Sequence, residues 1–410
     1  MAIKMSSNVT SNNSADGKVE GNENDLSNSD IVTKYRTAAN IANLTLQKLI
    51  SEVKTGASIK ALCKMGDDMI LAETAKVYNK KENGRKIEKG IAFPTSVSLN
   101  EICDNYSPIE DGDVISDGDM VKIFLGCHID GYLGLVAHTV FNGEKVTGRA
   151  ADVLTAAWTC CEAALREMKV GNSSHNVSKV IEQVAGEFKC TPVMGYVSHE
   201  IKRHVIEGSR YFTNSTRVEE KTEAFTFGLN EAYGLNVIVS TGEGKPKATE
   251  HKTTIYRAEV QNRYTLKTTL GRAFISQVNS RFPTLPFHIS SFEDERVLKA
   301  GLPEAVRHKL ITPYPVESEK AGEIVAHFTF VVLLLAGGTK KITGVPFAQQ
   351  SVCTPEHSIQ DEVIIKLLAV SHCVTDDNIS QTSVNPKTKK ANKTAKVAEK
   401  GAENNGESAQ

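Results

Sequence analysis

The stretch Met120–Phe141, MVKIFLGCHIDGYLGLVAHTVF, constrains the fold of this chain more than any other. Two apolar runs meet at Asp130-Gly131. An Asp-Gly pair between such runs marks a hairpin whose two central residues take positive φ. In the first arm, Met120–Ile129, the residues Val121, Ile123 and Leu125 share one face. Phe124 falls on the other face, where a half-buried strand would carry a polar residue. The second arm, Tyr132–Phe141, is also largely apolar. A hairpin buried on both faces belongs at the centre of a large fold.

The 410 residues suffice for one large α/β domain or two smaller ones. No apolar run approaches the roughly 20 residues that span a bilayer, so membrane insertion is not expected. The longest run, Phe328–Ala336, suits a buried strand. The N-terminus is polar and Asn/Ser-rich with no apolar h-region, which argues against secretion. Eight cysteines are scattered without a C-x-x-C pair. That pattern supports neither a zinc site nor a thioredoxin motif, and fits a reducing compartment. The net charge of −1 excludes a uniformly basic nucleic-acid coat. The ends differ in sign, however: residues 1–30 are acidic, while residues 385–410 carry six lysines against three glutamates.

In chain order, residues 1–28 read as a disordered tail. Apolar spacing predicts helices over Ile31–Val53, Ser58–Tyr78, Gly148–Lys169 and Gly171–Gly186. Gly90–Leu99 reads as an edge or irregular strand because of Pro94. Phe225–Gly242 reads as two strands and Glu323–Gly337 as one buried strand. Lys340–Gly344 and Val345–Phe347 read as a last strand pair, followed by a helix at Ile359–Ser371. Between these, about 250–315 reads as an inserted, mostly helical module, with helices at Leu266–Phe282 and Phe292–Leu310. The ordered body is expected over 29–372, and 373–410 as a disordered Lys-rich tail.

The segments GIAFPTSVSLNE (from Gly90), VKIFLG, DGY and AHTV resemble the creatinase/methionine-aminopeptidase superfamily of pita-bread fold. Further segments narrow the resemblance: KYRTAANIAN from Lys34, SHEIKRHVIEG from Ser198, VSTGEGKPK from Val239, RAFISQVNSRFPTLPF from Arg272 and AHFTFVVLL from Ala326. They resemble the proliferation-associated, ErbB3-binding branch, a non-peptidase relative of type II methionine aminopeptidase. The resemblance covers about residues 30–372. It implies an α/β (α+β) pita-bread domain with a helical insert.

The peptidases of this superfamily use two divalent metals, held by two Asp, one His and two Glu, to lower the pKa of a bridging water. By the resemblance, the first Asp falls on Phe124 and the second, eleven residues later, on Leu135. The His falls at or beside Ser198, with His199 adjacent. The two Glu fall on Asn236 and Thr329. Apolar side chains cannot ligate a metal pair. The expectation is therefore a pseudo-peptidase with no catalytic residues, metal or cofactor. His128, His138, His199 and His204 are expected to be hydrogen-bonded structural histidines. Gly242-Glu-Gly-Lys245 lacks the ending of a phosphate loop. Cys127 and His128 alternate on a strand and so cannot form a dyad. Ile364–Leu368, IIKLL, is read as core packing rather than a partner helix.

What remains chemically active is charge. Lys245, Lys247, Lys252, Arg257, Lys267, Arg272 and Arg281 in the insert region are interleaved with Tyr256 and Tyr264. Cations track phosphates and aromatic rings can stack on unpaired bases; the plain alternative is a solvated face. Lys202 and Arg203 form a second cluster, and Lys387, Lys389 and Lys390 lie in the tail. The resemblance implies RNA and ribosome association: large-subunit rRNA and the 60S subunit as partners, roles in translation and ribosome biogenesis, and cytoplasmic and nuclear or nucleolar location. A monomer is expected. The alternatives are a nuclear corepressor-type scaffold with DNA or transcription-factor partners, and an active aminopeptidase with altered ligands.

Overall fold

The computed structural model describes residues 23–82, 84–220 and 222–370. Its mixed α/β architecture is built on a nine-stranded antiparallel sheet. Seven strands run across it in the order Lys89–Leu99, Met120–Ile129, Tyr132–Phe141, Val325–Leu335, Glu231–Ser240, Val197–Glu200 and Tyr211–Thr213; Gly338–Lys341 pairs off this path with Val325–Leu335, and Thr191–Pro192 with Glu231–Ser240. The hairpin has the expected bounds, and its turn residues take positive φ, 54° at Asp130 and 81° at Gly131. The strand with Pro94 lies at the sheet edge, and its register with the hairpin shifts on either side of Phe93.

The sheet is two antiparallel halves joined at a seam. The second hairpin arm and the strand Val325–Leu335 pair at Ala137 opposite Thr329. Beyond that point threonine hydroxyls take over from the backbone ladder. Thr139 Oγ1 donates to the carbonyl of His327 and accepts from its N–H, both at 2.7 Å. Thr343 Oγ1 donates to the Leu135 carbonyl at 2.7 Å and accepts from the Val331 N–H at 2.6 Å. These buried backbone groups at the seam, which would otherwise lack a partner, are satisfied this way.

Each half has a helix pair on one face. Helices α1 (Ser29–Glu52) and α2 (Ile59–Thr74) bury Ala38, Leu46, Leu62 and Ile70 against Val121, Ile123, Leu125 and Val136. Helices α3 (Gly148–Glu167) and α4 (Ser174–Glu187) bury Leu154, Ala157 and Ile181 against Leu235, Val237, Phe328 and Phe330. The side-chain period of two then sends Phe124, Leu135, Asn236 and Thr329 to the opposite face. Gly134 lets α1 lie directly on the hairpin: a Cβ there would come within 2.6 Å of the Ala38 and Ala39 backbone.

The inserted module has its own core of Phe274, Val278, Phe287, Phe292, Val297 and Leu310. Its helices are α5 (Thr269–Arg281) and α6 (Glu295–Arg307), each shorter than expected. The module is also less helical than expected. Ile255–Ala258 pairs with both Phe287–His288 and Ile311–Tyr314 in a three-stranded sheet. Strands of two to four residues leave no readable alternation in the sequence.

Three other expectations are corrected. Phe225–Gly242 holds one strand, Glu231–Ser240. Phe225 and Phe227 are irregular chain that packs on Tyr233. The expected last strand pair reduces to Gly338–Lys341, after which Thr343 is diverted to the seam. The folded body also begins before residue 29. Leu26 is buried, the Glu23 carbonyl accepts from Tyr132 Oη at 2.7 Å, and Arg203 pairs with Glu23. A short helix, α7 (Glu362–Ala369), closes the described chain, with Ile364 in the core and Val363 and Ile365 exposed. No helix among the described residues is long and apolar enough to cross a membrane.

The buried histidines make the fold acid-sensitive. His138 sits edge-on to Phe328 at 5.1 Å, with Trp158 and Phe347 around it. Burial pushes its pKa down to about 3, and nearby Lys341 adds to the effect. In the unfolded chain it protonates near 6.5, so its contribution to stability is lost as pH falls from about 6.5 towards 3. At about pH 5 this single group costs about 2 kcal/mol relative to neutral pH. The stability gap between wild type and His138→Phe should therefore shift by that amount between about pH 7.5 and pH 5 in denaturant melts. A gap independent of pH would contradict this.

Candidate functional site

The sheet face opposite the helices forms a cleft of about 220 Å³. Its apolar wall is Phe93, Phe124, Leu135, Ile201, Ile206 and Tyr314. Phe124 lies against Phe93 with ring centroids 4.5 Å apart, and Tyr314 meets Phe93 edge-on at 5.3 Å. Its polar lining includes Asp104, His199, Glu207, Asn236 and Thr329.

Four of the five expected ligand positions, Phe124, Leu135, Asn236 and Thr329, converge here. The fifth, Ser198, does not. Its strand turns Ser198 away from the cleft, where Oγ accepts from the Asn236 N–H at 2.9 Å. His199 is the residue that faces the cleft. The one-residue slip follows from strand alternation, because adjacent side chains point to opposite faces. The site therefore offers one imidazole, His199, at the position expected at or beside Ser198. His199 Nδ1 lies 3.2 Å from the Gly208 carbonyl and so carries the proton, leaving Nε2 as a lone pair. Burial lowers the His199 pKa, which keeps the ring neutral.

The polar groups pair with one another. Asn236 Oδ1 accepts from Thr329 Oγ1 at 2.9 Å and lies 2.7 Å from His327 Nε2. Glu207 accepts from Tyr314 Oη at 2.6 Å and from Arg257 Nη1 at 2.8 Å. Asp104 Oδ1 accepts from the Asn105 N–H at 2.7 Å and from Ser96 Oγ at 3.3 Å, while Oδ2 lies 3.9 Å from His327 Nδ1. Burial raises the Asp104 pKa to about 7 and lowers that of the neighbouring Lys122 to about 7. Two hard divalent cations need several anionic oxygens around them. At the five positions the chain offers two apolar side chains, an amide, a hydroxyl and one imidazole. Of the cleft's carboxylates, Glu207 is engaged by Tyr314 and Arg257, and Asp104 is a single buried carboxyl whose pKa is raised to about 7. This donor set does not fit a dinuclear metal centre.

The structure also sorts the basic residues. Arg203 is not a surface cation: its guanidinium lies 2.8 Å from Asp130 Oδ1, and its side chain is 11% exposed. Arg257 is likewise engaged, by Glu207, with a side chain 16% exposed. Lys202 is half-exposed but pairs with Glu200 at 3.1 Å. Lys245, Lys247, Lys252, Lys267, Arg272 and Arg281 are exposed. Lys267 and Arg272 sit together at the start of α5, where Arg272 Nη1 donates to the Lys267 carbonyl at 2.7 Å. Arg281 is at the other end, its guanidinium over Phe282 at 5.0 Å. Tyr256 is buried, whereas Tyr264 is exposed and stacks on His308 at 4.1 Å. Lys387, Lys389 and Lys390 lie outside the described residues.

One polar cluster has no signature in the sequence. Asp152 of α3 is fully buried and accepts from the His357 N–H at 3.0 Å, with His357 Nδ1 2.9 Å away and Glu356 beside them. It fastens the C-terminal segment to the body across 205 residues of sequence, a distance no local pattern encodes.

Residues 33–234 match the model of metallopeptidase family M24. A potato protein named ERBB-3 binding protein 1 is 40% identical over 332 residues, covering 80% of this chain and 85% of the relative. The chain belongs to family M24, in its ErbB-3-binding and proliferation-associated branch. Proliferation-associated protein A of Dictyostelium discoideum is 39% identical over 350 residues, covering 84% of this chain and 90% of the relative. Among solved structures, a thermophilic Arx1 superposes with a TM-score of 0.78 at 29% identity, covering 85% of this chain and all of the other. The pita-bread fold and the branch expected from the sequence are thus confirmed.

Proposed function

We propose that this chain is a non-hydrolytic M24 protein that acts by binding, with large ribosomal-subunit RNA as its main partner. The observation that carries the first half is the cleft wall: Phe124 and Leu135 stand packed where two carboxylates would have to approach a metal pair. The second half is supported by the inserted module, which closes its own core and leaves Lys267, Arg272 and the stacked Tyr264 exposed. Cations there can neutralise phosphates, and an exposed ring can take an unpaired base. The location that follows is cytoplasmic with a nuclear or nucleolar pool, and regulation of translation and ribosome assembly is the role.

Sedimentation with 60S subunits at graded salt tests this. Lys267→Glu with Arg272→Glu should weaken association at least tenfold. The slope of log affinity against log salt should fall by about one for each phosphate no longer neutralised. Unchanged co-sedimentation would remove the module as the ribosome-binding surface.

A further inference from the structure

Three turns of chain meet at the end of the sheet where Ser240 and Val325 pair: residues 100–101, 241–244 and 319–323. Backbone hydrogen bonds fasten them, from the Glu319 N–H to the Glu101 carbonyl, from the Thr241 N–H to the Ile324 carbonyl and from the Val325 N–H to the Asn100 carbonyl, each at 3.0 Å. Glu319 is 5% exposed there. Its Oε2 accepts from the Lys320 N–H at 3.3 Å. Its Oε1 is shut off from solvent and has no hydrogen-bond partner among the described residues. A buried carboxylate oxygen without a donor is costly, so a group of this kind calls for a ligand.

A second carboxylate is turned to the same place. A Cβ on Gly242 would come 3.0 Å from Glu319 Oε2, 2.9 Å from Glu323 Cγ and 3.1 Å from Glu323 Cδ. The glycine thus leaves a cradle that both acids border. Glu323 is half-buried, and Thr241 Oγ1 donates to its Oε2 while accepting from the Ile324 N–H at 2.9 Å. Neither acid has a salt-bridge partner among the described residues, because Lys320 gives its ammonium to Glu243 at 2.5 Å. Two carboxylates without a cation are a hard, anionic oxygen donor set, which suits Ca²⁺. Mg²⁺ demands near-ideal octahedral geometry and sheds its water reluctantly, so a site with so few protein oxygens favours the larger ion. With water completing the coordination, the dissociation constant is roughly millimolar. We propose that Glu319 and Glu323 hold a single calcium ion beside Gly242, at a site separate from the cleft. The ion clamps the turn at 241–244, and with it the stretch bearing Lys245 and Lys247, to the end of the sheet.

Thermal melts of the full chain, stripped with a chelator and then returned to about 10 mM Ca²⁺ or Mg²⁺, test it. Calcium in tenfold excess over its dissociation constant should raise the wild-type midpoint by about 2 °C, and magnesium by less. Glu319→Gln keeps the shape and removes the charge, so it should lose the calcium response. Without metal it should melt no lower than the wild type, because the unpaired buried charge is gone. Glu323→Gln, at a half-buried position that folding tolerates, should lose most of the response as well. No rise in the wild type, an equal rise with magnesium, or an undiminished rise in either variant overturns the proposal.

Discussion

Leu135→Asp, which restores a carboxylate at an expected metal-ligand position, should unfold the protein more readily and recruit no metal. Leu135 is 5% exposed and packs in the cluster of Phe93, Phe124 and Ile201. A carboxylate there loses its hydration and finds no cation among those neighbours. An uncompensated buried charge costs roughly 3–5 kcal/mol. Leu135→Asn, similar in shape but uncharged, separates the charge from the lost packing and should cost less. The buried carboxyl in Leu135→Asp has its pKa raised, so the charge penalty applies above that raised value and disappears in acid. The two variants should therefore converge in denaturant melts at low pH. Added Mn²⁺ or Co²⁺ should leave the Leu135→Asp midpoint where it is, because Phe124, Asn236 and Thr329 supply no further anion. A metal-dependent rise would show that the cleft is one substitution from a metal site.

Asp130→Ala should be the most damaging change at the hairpin turn. Lys34 of α1, Arg85 of the loop after α2 and Arg203 converge on this one carboxylate. The side chains of Lys34 and Arg203 are 13% and 11% exposed, and without the anion each keeps only a more exposed carboxylate, Glu82 and Glu23. Loss of one partner of a buried pair costs about 3–5 kcal/mol. Asp130 also sits at φ 54°, a conformation that Asn tolerates and Ala resists. Asp130→Asn thus isolates the charge and should lose less, roughly 2 kcal/mol. Burial alone would raise the Asp130 pKa, but the hydrogen bonds from Lys34 and Arg203 prevail and hold it below the usual carboxylate range. Its stabilisation is present above the unfolded value near 3.8 and lost as pH falls through the lower folded value. The gap between wild type and Asp130→Asn should close only below about pH 4. Closure already at about pH 6 would place the stabilisation on another group.

The sequence revealed elements wherever periodicity was long. The hairpin arms, of ten residues each, came out with their bounds, and the turn with its φ signs, because an Asp-Gly pair has few other uses. The four expected ligand positions in the cleft lie on long strands, where residue parity fixes the face. The fifth position, expected at or beside Ser198, falls on His199, because a strand of four residues is too short for parity to anchor the register. Arg203 and Arg257 look like surface cations in the sequence because a sequence records charge but not its partner. Their partners, Asp130 and Glu207, lie 73 and 50 residues away. The threonine splice at the seam was invisible for the same reason: Thr139 and His327 are separated by 188 residues. The segment from Glu23 to Asn28 was hidden in a polar tail because Leu26 is a single apolar anchor without a period.

Metal content and turnover, measured together on the full chain after incubation with Mn²⁺, Co²⁺ or Fe²⁺ and dialysis, test the central claim most directly. A cleft walled by Phe124 and Leu135 predicts substoichiometric metal and no release of methionine from Met-Ala-Ser peptides beyond a metal-free control. Two metal ions per chain, with hydrolysis that depends on them, would contradict it.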